Sequence, residues 1–259
     1  MAEELMRAIF QISLGEVPGF YQPCIESVGR YAQRVGAKHI VLTEPRLRIA
    51  PLKNCRSENA LRLSYLPIYE KQNAFNLLHD FEQVAVIDAD IYVRDSAPDL
   101  FEQSQAPFAG VLERDLPCTP QHTTKLQKHS QGQFGNLRDV DWDWNAHGAG
   151  FYNMGMMLLH HSLLEWLDGQ TPTEFLRRPE FERFINGEGH WRWSTDQTLL
   201  NWWLRSADIP HEALDWRFNA LYGAVKPERI KEAYFVHFFL AANMPQQGRE
   251  IPDLIRGFM

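Results

Sequence analysis

The sequence predicts an α/β fold: a single domain on a mostly parallel central sheet flanked by helices. Three observations carry that reading. Arg7–Ser13 and Lys38–Thr43 read as strands with a helix over Pro23–Gly36 between them, the order of a parallel βαβ unit. The apolar run Val84-Ala85-Val86-Ile87 has the character of a buried strand. No internal repeat, low-complexity tract or composition break interrupts the 259 residues, so one domain spans 1–259, with its core over roughly 7–240 and a tail over 241–259.

The remaining elements follow in order. Proline suits a first helical turn, so a helix begins near Pro67 and runs through Leu78. It leads into a strand that carries Val84 through Val93. Ala97–Phe101 reads as a short turn or helix, and Pro107–Leu112 as a strand. Leu116–Gly150, punctuated by Pro117, Pro120, Gly132, Gly135 and Gly148, reads as an irregular stretch, a kind of loop that is usually functional at that length. Met156–His160 resumes as a strand, two or three short helices occupy Ser162–Ala207, and Ala233–Phe238 is the last strand.

Composition narrows the function. Hydrophobic residues make up 44% and charged residues 23%, an ordinary globular balance. A net charge of −7 argues against broad nucleic-acid or anionic-membrane binding. No apolar run approaches the roughly 20 residues that span a bilayer. The acidic start Met1-Ala2-Glu3-Glu4 is unlike a secretory signal, and Cys24, Cys55 and Cys118 form no Cys-x-x-Cys pair and read as reduced thiols. The expected location is cytoplasmic.

Asp88-Ala89-Asp90 follows directly on the buried run. An extended segment sends residues i and i+2 to the same side, so both carboxylates can face one point. That suits a hard divalent cation, which can in turn hold a ligand's phosphates; a solvated strand cap is the alternative. On a helix begun at Pro67, Ile68, Lys71, Phe75 and Leu78 share one face, so Lys71 points inward. A buried lysine needs a partner: Asp88, Asp90 or a ligand phosphate, unless its stem snorkels the ammonium to water. A second acidic pair, Asp141 and Asp143, has no core strand before it and ranks below the first. Trp142 and Trp144, with Trp191 and Trp193, either offer apolar faces on which a ligand ring can stack or pack in the core. His147, His160 and His161 have no ligand partner along the chain and read as structural or surface residues.

Three more segments complete a pattern: the apolar run Phe151–Leu159 interrupted by Asn153 and Gly155, the helix start Ser194-Thr195-Asp196-Gln197, and His237 in the aromatic strand Tyr234–Phe239. In this order and spacing, Asp88-Ala89-Asp90 and these segments resemble the retaining nucleotide-sugar glycosyltransferases of GT-A fold (glycosyltransferase family 8), the group that includes glycogenin and bacterial galactosyltransferases. The resemblance runs from Ile9 to Met244. It implies a hexosyltransferase that moves a hexose, with retention, from a nucleotide-diphosphate donor (UDP-hexose) to a glycan, lipid or protein acceptor. It implies Mn²⁺ or Mg²⁺ held by Asp88, Asp90 and His237, and an imidazole ligand favours Mn²⁺. Donor contacts fall to Lys71, Asp88, Ala89, Asn153 and Gly155. Asp196 and Gln197 match the acid–amide pair near the reacting sugar carbon, the catalytic positions. Each has a plainer alternative: His237 as a core histidine, Asn153 and Gly155 as a turn or bulge, Ser194 and Gln197 as a capping box. Retention through a covalent intermediate and through front-face attack both stay open.

Two departures qualify the match. Asn243 falls where the family carries a lysine that contacts the diphosphate, which leaves open a weak or inactive nucleotide-sugar-binding protein. The first strand offers Gln11, Ser13 and Leu14-Gly15 in place of an Asp pair near the nucleotide. A rival from another class, an Asp-dependent phosphohydrolase, fits Ile87-Asp88-Ala89-Asp90 but has Tyr92 where that class carries Thr or Val.

Overall fold

Strands that are apolar on both faces belong in the middle of a sheet, and Gln83–Ile87 is buried at every position. The computed structural model describes residues 6–50, 64–187, 195–239 and 250–258. Its strands are β1 (Arg7–Ile12), β2 (Lys38–Leu42), β3 (Gln83–Ile87), β4 (Ile91–Val93), β5 (Phe108–Leu112), β6 (Tyr152–His160), β7 (His211–Ala213), β8 (Ala220–Leu221) and β9 (Phe235–His237). The large sheet has the order β2-β1-β3-β6-β5-β7, and a small sheet has the order β4-β9-β8. β1 pairs in parallel with β2 and β3, and β5 with β7, whereas β6 runs antiparallel to both β3 and β5.

The helices are α1 (Tyr21–Arg34), α2 (Ala74–Leu77), α3 (Pro120–Phe134), α4 (Pro172–Leu176), α5 (Glu182–Ile185), α6 (Thr195–Ser206) and α7 (Ile251–Arg256). Alternation along the strands sends Phe10, Val84 and Val86 to one side, where Phe75, Phe175 and Trp203 form an aromatic core. Ile9, Ala85 and Ile87 face the other side, against α1 and the small sheet. The protein is thus a layered α/β domain with a core on each face of the large sheet. No described helix is long and apolar enough to cross a membrane.

Several boundaries differ from expectation. The strand over 84–93 breaks at Asp88, where the chain leaves the large sheet and β4 enters the small one. The helix at Pro67 is a 3₁₀ helix through Asn73 before α2 begins. The stretch over 116–150 contains α3, whose Thr119 side chain caps it by accepting from His122 N. β6 starts at Tyr152 rather than Met156, Ala233–Phe238 is shortened to β9, and β7 and β8 are additional. Ala97–Phe101 is irregular until a bend at Leu100 and a turn that begins at Phe101.

Candidate active site

The acidic turn sits where the two sheets part, and the ladders explain how its partners reach it. β4 and β9 pair with Ile91 opposite His237, and Phe238 N donates to Asp90 O, so His237 must lie beside the acids. Its Nε2 is 3.2 Å from Asp90 Oδ1 and 4.0 Å from Asp88 Oδ2. Ligand atoms of Asp88, Asp90 and His237 all lie within 4.8 Å of one another.

On the neighbouring strand the β5–β6 register jumps from Gly110↔Met157 to Val111↔Asn153, so residues 154–156 bulge out of that ladder. The bulge leaves the Met154 carbonyl to the site, while that of Gly155 continues the β3–β6 ladder past Ile87. Asp88 N donates to Gly155 O at 2.8 Å, and Lys71 Nζ donates to Met154 O at 3.0 Å. Gly155 is required by proximity: a Cβ there would stand 2.3 Å from His237 Cε1.

Lys71 is the centre of charge. It is buried, with Nζ 2.7 Å from Asp88 Oδ1 and 3.7 Å from Asp196 Oδ2, so it does not snorkel to water. Asp196 stands in the first turn of α6, and Gln197 beside it accepts from Met154 N at 3.3 Å. The Ser194 cap, Trp191, Trp193 and Asn243 fall outside the described residues.

A hydrogen-bonded chain backs the imidazole. His237 Nδ1 is 2.9 Å from Asn219 Oδ1, Asn219 Nδ2 donates to Asn153 Oδ1 at 2.9 Å, and Asn153 Nδ2 donates to Glu113 Oε1 at 2.6 Å. Nδ1 therefore donates to Asn219, and Nε2 faces the carboxylates, where it donates to Asp90 while protonated and can offer a lone pair once a cation displaces that proton. No sequence motif marks Glu113 or Asn219. Glu113 is an isolated acid after a strand, and Asn219 lies in a 3₁₀ turn over Trp216–Asn219 that carries no motif. Beneath the turn, fully buried Gln11 donates to Asp88 O at 3.3 Å and approaches His39 Nε2 at 2.8 Å.

Burial and charge oppose each other throughout the cluster. Burial works to lower Lys71, but Asp88 and Asp196 overcome it and leave the ammonium raised. Burial also favours a neutral His237, yet Asp90 holds its imidazole above the usual range. Asp90 is held low because His237 outweighs its burial, whereas burial and then the Asp90 charge leave Asp88 raised despite Lys71. Burial raises Glu113 as well. Two carboxylates and an imidazole, with the imidazole's far nitrogen fixed by Asn219, could hold a divalent cation.

Trp142 shows the second alternative, core packing. It is buried, its Nε1 donates to Leu137 O, and its ring packs 4.5 Å from Phe134, so it serves the core and has no face for an acceptor. Trp144 is 44% exposed. Asp143 pairs with Arg114, and the Asp141–Asp143 pair contributes no metal-ligand cluster among the described residues.

No protein-family profile matches the chain. No curated protein sequence matches it either. Solved structures do. A glycosyltransferase involved in glycosylating the major capsid of PBCV-1 aligns with a TM-score of 0.52 at 16% identity, covering 96% of this chain and 99% of that one. The galactosyltransferase LgtC, solved with donor and acceptor sugar analogues, aligns at 0.53 and 13% identity over 98% and 95% of the two chains. Mouse xyloside xylosyltransferase 1 aligns at 0.51 and 12% identity over 92% and 99%. Over almost its whole length, then, the chain has the GT-A fold of glycosyltransferases, like that of LgtC.

Proposed function

We infer that the protein is a metal-dependent glycosyltransferase that moves a hexose from a nucleotide-diphosphate donor, UDP-hexose, to an acceptor with retention of configuration. The observation that carries the reading is convergence: Asp88, Asp90 and His237 share one point, and Lys71 ties that point to Asp196 on another element. In this reading Mn²⁺ or Mg²⁺, bound by Asp88, Asp90 and His237, supplies the Lewis acid that stabilises the departing diphosphate. Ala89, small and between the acids, lets the nucleotide approach the backbone. Lys71 offsets carboxylate charge and holds Asp88 and Asp196 in place for the donor.

Asp196 accepts from sugar hydroxyls, and Gln197 stands at the face of the sugar opposite the leaving group. Asn153 contacts the donor sugar from the bulge, where Gly155 keeps room for His237. The acceptor side includes exposed Trp144. An open cleft of about 750 Å³ has Arg114, Cys118, His147 and Lys226 on its walls.

The test is calorimetric titration of UDP with and without Mn²⁺. Asp90→Ala should weaken Mn²⁺-dependent binding on the order of 100-fold, the size expected when a buried charged contact loses one partner. Circular dichroism should stay unchanged. Equal affinity in the variant removes the assignment. Release of UDP from UDP-hexoses then separates a transferase from a protein that only binds the donor.

A further inference from the structure

A second cluster of ligand-type side chains lies at the opposite end of β3. Glu82 precedes that strand, His160 ends β6 opposite Gln83, and His161 opens a 3₁₀ helix over His161–Trp166. Six residues of strand at about 3.3 Å each put this cluster roughly 20 Å from Asp88, too far to share its ion. The backbone already joins the segments, since His161 N donates to Glu82 O at 2.7 Å. Along the chain the two histidines had no partner; in space Glu82 supplies one.

We propose that Glu82, His160 and His161 form a second cation site, for a zinc-class ion, that clamps the start of β3 to the end of β6. The spacing is the first argument. His160 Nε2 stands 3.8 Å from Glu82 Oε1, too long for a hydrogen bond. Two ligands around one tetrahedral ion with bonds near 2.0–2.1 Å lie about 3.4 Å apart, so a small rotation closes the gap. Ligand atoms of all three residues fall within 4.8 Å of one another, and the imidazole centres are 4.3 Å apart.

Orientation is the second argument. His160 Nδ1 lies 2.8 Å from Ser162 Oγ, a contact that holds the ring with Nε2 on the Glu82 side, and with an ion on Nε2 the hydroxyl would accept the Nδ1 proton. The Ser162 N–H points at the same Nδ1 from 3.2 Å, so loading the ion exchanges that contact for the hydroxyl one. Ion class follows from donor type. Two imidazoles and one carboxylate favour Zn²⁺, Ni²⁺ or Co²⁺ over Mg²⁺, whereas two carboxylates and one imidazole make the first cluster harder. His161 is exposed and the other two are half-buried, so water can complete the coordination.

The experiment titrates the full, tag-free, chelator-treated chain with Zn²⁺ in excess Mg²⁺, reading heat and the unfolding temperature. Co²⁺ serves as a visible-band reporter of a tetrahedral site. The wild type should bind Zn²⁺ and melt higher with it. His161→Ala, a change at an exposed position, and the shape-conserving Glu82→Gln should each lose at least about tenfold in affinity. Asp90→Ala should keep both responses. The proposal is overturned if the wild type binds no Zn²⁺, if His161→Ala and Glu82→Gln both bind as well as the wild type, or if Asp90→Ala abolishes the response.

Discussion

At the scale of single residues, the site depends on what is missing at 155 and what stands at 219. A methyl group at 155 would meet the His237 ring, which is itself packed at 4% exposure and has no room to retreat. Gly155→Ala should therefore cost about 1–3 kcal/mol as an overpacked position, read as a lower urea midpoint, and should weaken Mn²⁺ binding with it. Wild-type behaviour in both measurements would show that the ring has another place to go. Asn219→Ala removes the acceptor for His237 Nδ1, freeing the imidazole to turn or change tautomer. Outer partners of metal-ligating histidines contribute about 10–100-fold to affinity, so a Mn²⁺ titration should weaken by that range. An unchanged constant would reduce Asn219 to packing. Neither role was legible in the sequence. Gly155 reads there as a donor contact or as part of a turn or bulge, and Asn219 as one polar residue among Trp216, Arg217 and Phe218, because the contact with His237 that gives each its meaning joins segments apart in the chain.

At the scale of elements, α3 shows how punctuation misleads. Thr119-Pro120 is a cap followed by proline in the first turn, a start signal. With Pro117 before it, Gly132 inside the helix and Gly135 at its end, the same residues read as breakers. The polar body of the helix, His122 through Gln133, shows only Leu126 as an apolar landmark before Phe134. Thr119→Ala should cost about 1 kcal/mol in a urea denaturation, the usual worth of a side-chain cap; no loss would show that Pro120 alone sets the boundary. Lys71 is the opposite case. A helical count aimed it inward, and a 3₁₀ helix delivers it there too, because three-residue steps keep i and i+3 aligned. Nothing in the sequence marks its neighbour Glu70 as an anchor, yet its buried carboxylate accepts from the amides of Arg46, Leu47 and Arg48.

At the scale of the whole molecule, the βαβ opening, the parallel pairing and the buried β3 were legible because apolar strands and an intervening helix leave a strong local pattern. The second sheet was not: β8 is two residues long and β4 three, too short for any periodicity to register. That division has a consequence for motion. Asp88 closes the large sheet, Asp90 opens onto the small one, and His237 rides on β9, so an ion held by all three would rivet one sheet to the other. Hydrogen–deuterium exchange should then register Mn²⁺ as slower breathing of the amides in β4 and β9, with β1 and β2 untouched, and EDTA should reverse it. Uniform protection, or none, would mean that the seam stays shut by packing alone, and that the ion, when it comes, arrives to serve the ligand and leaves the architecture as it found it.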